Sequence, residues 1–282
     1  MRKRNKAYLA LLNACRLNHE CVFVFCLFAA SCLEKTKDNH YHTTSYGEVK
    51  TISIAIDNED QSKIGFVKLE NDVFIGITSL CVVDHFVFLT DELHKNVKRV
   101  DLRSSEVIHS ERLTDSTFFK QFNDATWFNE RLYISSSERA VFVVSRDLKE
   151  HTSFELPTKG GYPTIVFGKT DSTVDFVVET RDSLYKVDKG NNVIARRKLF
   201  EDEQSLVTNF FNLEQGHVGY KKLKYIKSDS LECLIINERR IDLVRPYQYS
   251  PDARNVDFNE NYCVIFEIDE SYLRLYVYAL IL

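Results

Sequence analysis

From residue 51 onward, the chain alternates between short apolar stretches and polar turns. Residues 51–56 place an isoleucine at every second position, an alternating pattern that predicts a half-buried β-strand. Residues 63–70 predict a second strand, and no stretch shows the period of an amphipathic helix. The pattern therefore predicts an all-β domain over residues 51–282.

A unit of four short strands recurs along this domain. Each unit contains a strand, a polar turn and a second strand, followed by further apolar runs. Val87, Tyr133 and Phe176 align between the first three units, at intervals of 46 and 43 residues. Four-stranded units that repeat every ~40–50 residues indicate the blades of a β-propeller. The five units lie at residues 80–108, 126–148, 164–194, 206–244 and 255–282.

The strands predicted at residues 51–56 and 63–70 precede the first unit. A propeller removes its open sheet edge when an N-terminal strand pairs into the last blade. We therefore expect these leading strands to complete a ring of five or six four-stranded blades. A β-sandwich or an irregular barrel is the alternative architecture. Asp101 and Asp188 end the third strand of their units, where a carboxylate accepts the N–H groups of the following turn.

Residues 1–31 have the order of a secretory signal. Basic residues occur up to position 16, an apolar run follows at 21–28, and small residues occupy 29–31. The apolar run is shorter than the about 20 residues that span a bilayer. We therefore expect a cleaved signal peptide over residues 1–31, with an uncleaved anchor as the alternative.

The end of this segment, Ala29-Ala30-Ser31-Cys32, is similar to the lipobox of bacterial lipoproteins. In that motif small residues admit the signal peptidase, and the thiol of the following cysteine carries the lipid. The resemblance implies that Cys32 is lipidated and that its acyl chains hold the protein at a membrane. It also implies a location on the extracytoplasmic side of the cell envelope. Plain secretion after cleavage near Ser31 is the alternative.

Residues 32–50 are polar and predict a flexible tether between the anchor and the domain. His40 and His42 have a spacing that could hold a metal ion, but no third ligand lies nearby, so we interpret them as solvated. The acidic residues at 57–60 lack the ligand spacing of a calcium-binding loop and predict a solvated turn.

Net charge and cysteine usage narrow the classes of partner. A net charge of -4 and a pI near 6.1 argue against a nucleic-acid partner, which usually needs a basic face. Beyond residue 32, Cys81, Cys233 and Cys263 lie in apolar runs without the spacing of metal ligands. We interpret them as buried thiols, with a disulfide between Cys233 and Cys263 as the alternative.

Several motifs follow the lipobox and the polar tether in a fixed order. They are FVKLE at residues 66–70, IGIT at 75–78, VVD at 82–84, VFLTD at 87–91 and VKRVD at 97–101. This order resembles that of the six-bladed β-propeller lipoproteins of Bacteroidetes, which are themselves similar to the NHL and TolB-like propellers. The resemblance implies an envelope propeller and brings with it no assigned activity.

Candidate chemistry is sparse. The sequence contains no GxSxG, HExxH, P-loop or GxGxxG motif, so we assign no catalytic residue, metal ligand or cofactor. His85, in an Asp-His turn, and the glycine-bearing loop 159–163 are candidate binding positions, because loops on a rigid scaffold carry binding. In that loop, Lys159 and Tyr162 are the candidate contacts.

Two functions fit this pattern. The leading hypothesis is a non-catalytic binding or protein-interaction scaffold for a glycan, a peptide or a protein partner. The alternative is an exported propeller enzyme, a metal-dependent lactonase-like hydrolase or a lyase, whose polar side chains must converge on one site. The two differ in whether the polar residues of the inner strands surround a cation or bond turn backbone groups. These residues are Asp84, Asn129, Asn212 and Asn259.

Overall fold

The computed structural model describes residues 48–68, 74–115, 121–137, 139–158, 164–178, 183–208, 223–228, 231–236, 239–243 and 255–280. The predicted signal peptide, Cys32 and the tether up to residue 47 lie outside this part of the chain. The described residues form twenty-one strands and one α-helix. The strands are β1 (Glu48–Ala55), β2 (Val67–Lys68), β3 (Phe74–Ile75), β4 (Ile77–Val83), β5 (Phe86–Asp91), β6 (Asn96–Asp101), β7 (Val107–His109), β8 (Phe122–Phe128), β9 (Arg131–Ser136), β10 (Ala140–Ser145), β11 (His151–Glu155), β12 (Thr164–Lys169), β13 (Thr173–Val178), β14 (Ser183–Asp188), β15 (Val193–Lys198), β16 (Leu223–Ser228), β17 (Leu231–Ile236), β18 (Arg239–Asp242), β19 (Val256–Phe258), β20 (Tyr262–Ile268) and β21 (Tyr272–Ala279), and the helix is α1 (Glu201–Thr208).

Most of these strands belong to antiparallel sheets in which consecutive strands pair. The sheets are β4 to β7, β8 to β11, β12 to β15, β16 to β18, and a closing sheet in the order β19-β20-β21-β1. We number them blades 1 to 5. The first strands lie side by side, since β4 contacts both β8 and β19, and β8 contacts β12. Meandering sheets arranged with their first strands together form a β-propeller. The described residues thus provide five blades, in agreement with the five or six that the sequence predicted.

Each blade buries both of its faces, because it has a neighbouring blade on either side. In β4, Leu80 and Val82 pack toward blade 5, whereas Cys81 and Val83 pack toward blade 2. A strand that is buried on both faces is apolar at consecutive positions, as residues 80–83 are. Four clusters of buried side chains fill the spaces between blades in this way.

The alignment between repeats differs by one residue from the predicted one. Val87 faces the preceding blade, and its counterpart in blade 2 is Leu132, which also faces the preceding blade. Tyr133, which the sequence aligned with Val87, faces the following blade instead. A shift of one residue exchanges the two faces of a strand. The equivalent positions are Val87, Leu132 and Val174, each the second residue of its strand, and they recur at intervals of 45 and 42 residues. Phe176, which the sequence aligned with Val87, lies two residues beyond the equivalent position and faces the same blade as Val174.

The N-terminal strand closes the ring, as the sequence predicted. Strand β1 pairs antiparallel with β21 as the outermost strand of blade 5, with Ile52 opposite Leu275 and Ile54 opposite Leu273. All four side chains are buried in the cluster between blades 5 and 1. The strand begins at Glu48, so residues 48–50, which the sequence assigned to the tether, belong to the sheet.

The second leading strand does not join a blade. Of residues 63–70, only Val67–Lys68 is a strand among the described residues, and it pairs with β3 in a separate two-stranded sheet. Residues 57–66 instead run from β1 across blade 1, where Ile64 is fully buried. For residues 63–66 the prediction of a blade strand was wrong, because Ile64 is buried by packing against side chains of blades 5 and 1 and not by pairing within a blade.

A helix occupies residues for which the sequence predicted a strand from residue 206. Helix α1 begins with three acidic residues, which the positive end of the helix dipole favours. The carboxylate of Glu203 also accepts the N–H of Phe200 at 2.8 Å, as in a capping box. These local signals outweigh the apolar residues that follow. No helix in the described part of the chain is long and apolar enough to cross a membrane.

Buried carboxylates join the first strands of adjacent blades. Asp257 in β19 accepts the N–H of Val82 in β4 at 2.7 Å. Asp124 in β8 accepts the N–H of Val166 in β12 at 3.0 Å. Both aspartates are nearly inaccessible to solvent, so these charge-assisted bonds satisfy backbone donors that the separate sheets leave unpaired.

The aspartates that end the third strands cap the following turns, as predicted. Asp101 accepts the N–H groups of Arg103 and Ser104, and Asp188 accepts those of Gly190 and Asn192. The hydrogen bond from the Asn192 N–H contributes most to lowering the pKa of Asp188. A carboxylate stabilised in this way remains charged at neutral pH and fixes the shape of the turn.

Replacing Ile52 by alanine should weaken the closure of the ring. We expect Ile52→Ala to lower the free energy of unfolding by about 2–5 kcal/mol, because it leaves a cavity between blades 5 and 1. Ser53→Ala, in the same strand but exposed to solvent, should change it by less than about 0.5 kcal/mol. Urea unfolding followed by tryptophan fluorescence measures both values. Equal effects of the two substitutions would show that β1 does not hold blade 5 to blade 1.

Candidate functional site

Two-residue turns connect the first and second strands of blades 1 and 2. Val83 pairs with Phe86, so Asp84 and His85 form the β4–β5 turn. Asp84 has a φ of 52°, a left-handed conformation that aspartate tolerates better than most residues. The β8–β9 turn has the same length and begins with Asn129. We call the end of the propeller that carries these turns the turn face.

On the turn face, the first turn of one blade contacts the last turn of the next. Asp84 forms an ion pair with Arg146 in the β10–β11 turn of blade 2. Asn129 Nδ2 donates to the backbone O of Lys189 in the β14–β15 turn of blade 3 at 3.4 Å. These contacts bridge the seams between blades 1 and 2 and between blades 2 and 3.

The seam between blades 5 and 1 differs from these two. Asn259 Nδ2, in the β19–β20 turn, donates to the backbone O of Asp84 at 2.8 Å rather than to the β6–β7 turn. A cleft of about 450 Å³ opens beside this contact, and we call it the seam cleft. It is lined by Asp84, His85, Arg103, Asn261, Tyr262, Ala279 and Leu280.

His85, the described member of the three predicted binding residues, lies in the seam cleft. Its backbone O accepts the N–H of Leu102 at 2.8 Å, which fixes the turn against the β6–β7 connection. Its ring lies 4.0 Å from the ring of Phe86, measured between centroids, and its Nε2 is 3.9 Å from Oδ2 of Asp101. The side chain is 24% exposed, so the ring is held in place but remains accessible to a ligand.

The carboxylates near the cleft are already bonded within the protein. The charge of Asp84 is balanced by Arg146. Asp101 accepts backbone N–H groups from Arg103 at 2.7 Å and Ser104 at 3.2 Å. Desolvation acts to raise the pKa of Asp101. These two bonds and the nearby charges of His85 and Arg103 together outweigh it, so the pKa lies below its ordinary value. The acidic groups are therefore occupied with the turns of the fold.

Four inner-strand residues were expected to distinguish a binding protein from an enzyme. The three that the structure describes form contacts with turns. Asn259 bonds the turn of blade 1, Asn129 bonds the turn of blade 3, and Asp84 pairs with Arg146. Asn212 lies outside the described residues. In the described ranges, no group of three or more His, Cys, Asp or Glu side chains is arranged to hold a metal ion. Each of these three residues therefore takes part in a contact between blades.

The remaining predicted positions divide into two groups. Cys32, His40, His42, Lys159 and Tyr162 lie outside the described residues. The three body cysteines are buried, and Cys233 and Cys263 do not form a disulfide in this structure. The acidic turn is a solvated turn as predicted, in which Asp57 Oδ1 accepts the N–H groups of Glu59 and Asp60.

A buried charged cluster around Asp91 escaped the sequence analysis. The carboxylate of Asp91 is fully buried at the β5–β6 turn and accepts the backbone N–H of His94 at 3.1 Å. It also accepts from Nδ1 of His94 at 2.9 Å, and Nζ of Lys98 lies 3.6 Å away. Buried charges of this kind persist only when each is paired.

This charged cluster fixes residues 57–66 to blade 1. The N–H of Gly65 donates to Asp91 Oδ2 at 2.9 Å, and Lys98 Nζ donates to the backbone O of Gln61. Position 65 requires glycine, because a Cβ there would lie 2.7 Å from Cβ of Leu93. In the sequence the charged run at residues 91–98 has the composition of an exposed turn. Its burial depends on a segment about 30 residues earlier, which no local pattern reveals.

Burial also changes the acidity of the cluster. Desolvation lowers the pKa of Lys98 to about 8, although the charge of Asp91 opposes this effect. Desolvation raises the pKa of Glu92, whose carboxylate pairs with Lys95 and accepts the N–H of Phe122 at 2.8 Å. Both groups are enclosed by the fold, so we interpret the cluster as part of the architecture rather than as a binding site.

Comparison with known proteins reaches only the level of fold. Neither a protein-family model nor a curated protein sequence matches this chain. A streptogramin B lyase structure is similar over 77% of this chain and 80% of its own, with 7% identity and a TM-score of 0.40. A catalytically inactive virginiamycin B lyase from Staphylococcus aureus, solved with quinupristin, is similar over 77% of this chain and 75% of its own, with 8% identity and a TM-score of 0.38. BamB from Moraxella catarrhalis is similar over 58% of this chain and 43% of its own, with 12% identity and a TM-score of 0.34.

The buried ammonium of Lys98 should make stability depend on alkaline pH. Between pH 8 and 10.5, the unfolded chain binds more protons at this residue than the folded protein does, so Lys98 should contribute a rise in the free energy of unfolding with pH. We expect this contribution to be on the order of 2–3 kcal/mol and to equal the difference between the pH profiles of the wild type and Lys98→Met. The difference isolates Lys98, because the raised pKa values of the buried thiols of Cys233 and Cys263 lower the stability of both proteins over the same range.

Urea unfolding across this pH range, compared among three proteins, measures the effect. Lys149→Met is the matched control, because the side chain of Lys149 is 82% exposed. Its pH profile should follow that of the wild type. A Lys98→Met profile that runs parallel to the wild type would contradict the assignment.

Proposed function

We propose that this protein is a lipid-anchored binding protein of the cell envelope, whose β-propeller holds a ligand in the seam cleft. The observation that supports binding is the seam cleft itself, a concave site lined by the imidazole of His85, the guanidinium of Arg103, an amide and a phenol. Its volume of about 450 Å³ is typical of sites for small molecules or for one end of a larger ligand.

The rigidity of the surrounding turns also supports a binding role. Asp101 caps the β6–β7 turn, and Asn259 Oδ1 accepts the N–H groups of Asn261 and Tyr262 in the β19–β20 turn. Because these backbones are fixed before a ligand arrives, less conformational entropy is lost on binding. The turns that border the seam cleft are therefore preorganised.

The anchor is proposed from the lipobox at residues 29–32. A thiol at Cys32 would accept a diacylglyceryl group, whose buried methylene groups hold a protein at a membrane. The polar tether would place the propeller in the aqueous compartment beside that membrane. We propose a glycan, a peptide or a protein of that compartment as the ligand.

Substitution of Cys32 should abolish anchoring. Expressed with a labelled fatty acid in a bacterial host, the wild type should carry label and sediment with membranes, whereas Cys32→Ser should do neither. Cys26→Ser is the matched control, since it changes a cysteine of the apolar run without touching the lipobox. Unlabelled wild-type protein in the soluble fraction would contradict the lipoprotein assignment.

Substitution of His85 should abolish ligand binding without affecting the fold. The labelled, detergent-purified protein is applied to glycan and peptide arrays, and we expect signals that His85→Ala reduces at least about fivefold. His151→Ala, which removes an exposed histidine from β11 in blade 2, should leave them unchanged. Array signals that do not depend on His85, or an absence of signals, would contradict the seam cleft as the binding site.

A further inference from the structure

The hydrogen-bond donors that line the seam cleft are available to a ligand. Among the residues that the structure describes, neither the exposed guanidinium of Arg103 nor the amide of Asn261 makes a side-chain hydrogen bond. Lys50 Nζ adds a second positive charge beside them. It donates to the backbone O of Leu102 at 3.2 Å and of Arg103 at 3.3 Å, and both of these partners are neutral carbonyl groups.

The acceptors at the same site are occupied. Asp84 is paired with Arg146, and Asp101 is capped by two backbone N–H groups. The guanidinium of Arg103, unlike its backbone N–H, interacts with Asp101 only through space, as one of the charges that lower the pKa of that carboxyl. The seam cleft therefore offers donors and positive charge to an incoming group, which favours an anion over a cation.

The backbone around the cleft is also occupied. The N–H of Leu280 and the ammonium of Lys50 are among the donors to its carbonyl oxygens. A peptide that binds by main-chain pairing needs free backbone groups along a strand edge. With these carbonyl groups bonded, the side chains of the cleft are the main groups left to recognise a ligand. The bonded carbonyl groups belong to Asp84, His85, Arg103 and Asn261.

We propose that the seam cleft recognises the carboxylate of a uronate unit in an acidic glycan, an inference that rests on the proposed binding function of this cleft. The planar fork of Arg103 matches a carboxylate with two parallel N–H donors. The amide of Asn261, the phenol of Tyr262 and the imidazole of His85 supply the donors and acceptors that sugar hydroxyl groups require. A saccharide presents both kinds of group without needing a free strand edge.

The test compares two ligands, of which one has charged carboxylates and the other has the same carboxyl groups as neutral methyl esters. Trigalacturonate and its methyl ester are titrated separately into the full-length protein in detergent at neutral pH. The heat of binding is measured to obtain the affinity of each. We expect the acid to bind at least about tenfold more tightly than the ester. This is the difference in affinity that one charge-assisted hydrogen bond contributes. Arg103→Ala should remove this difference, and Arg103→Lys should retain part of it because the charge remains but the fork is lost.

Arg112→Ala is the matched control. Arg112 is also exposed, its Nε donates to the nearby backbone O of Thr114, and it does not line the seam cleft, so its removal should leave the preference for the acid unchanged. Thermal unfolding of all three variants at the wild-type temperature shows that the fold is intact. Loss of the preference in Arg112→Ala as well would overturn the assignment to Arg103.

The remaining outcomes separate this inference from the proposed function. Equal binding of acid and ester, lost in His85→Ala, would overturn carboxylate recognition and leave the cleft as a sugar site. If neither trigalacturonate nor its methyl ester binds, but array signals depend on His85, the uronate assignment alone would be overturned. Tighter binding of an acidic peptide than of the uronate would overturn the choice of a glycan. An absence of any ligand that depends on His85 would overturn both.

Discussion

The pairing of β1 with β21 is the interaction on which the rest of this structure depends. Each blade has two apolar faces, and a blade at the end of an open row would leave one of them in water. Because β1 completes blade 5, the space between blades 5 and 1 is filled by Ile52 and Ile54 together with side chains of both blades. Burial of several isoleucine, leucine and valine side chains contributes about 1.5–3 kcal/mol each, so an open ring would lose much of the stability of a typical domain.

Polar contacts also join each of several blades to the next. Near the axis, Asp124 and Asp257 each accept a backbone N–H from an adjacent first strand. On the turn face, Asp84 and Asn129 each contact the following blade. The seam between blades 5 and 1 is joined through β1 and Asn259 instead, and the seam cleft lies at this altered contact. The candidate site is thus a consequence of where the chain closes its ring.

The cluster at Asp91 and the seam cleft differ in whether their charged side chains are already bonded within the protein. In the cluster at Asp91, carboxylate, ammonium and imidazole groups are buried and bonded to one another and to residues 57–66. Removing one member of such a cluster leaves an unpaired buried charge and costs about 3–5 kcal/mol. In the seam cleft the carboxylates are bonded while Arg103 remains open, and exposed donors of this kind contribute little to stability. The first region therefore serves the fold and the second is suited to a ligand.

The sequence by itself determined the all-β class, the repeat of about four strands, the closing role of residues 51–56 and the capping roles of Asp101 and Asp188, because alternation and turn chemistry are local properties. It also singled out His85 as a turn residue. Only the tertiary structure decided which face Tyr133 occupies and that residues 63–66 leave the blades. It also decided that the run at 91–98 is buried and that Arg103 and Asn261 line the same cleft as His85. Each of these depends on contacts between segments far apart in the chain, and a local pattern of apolar and polar residues carries no information on which distant segment covers it.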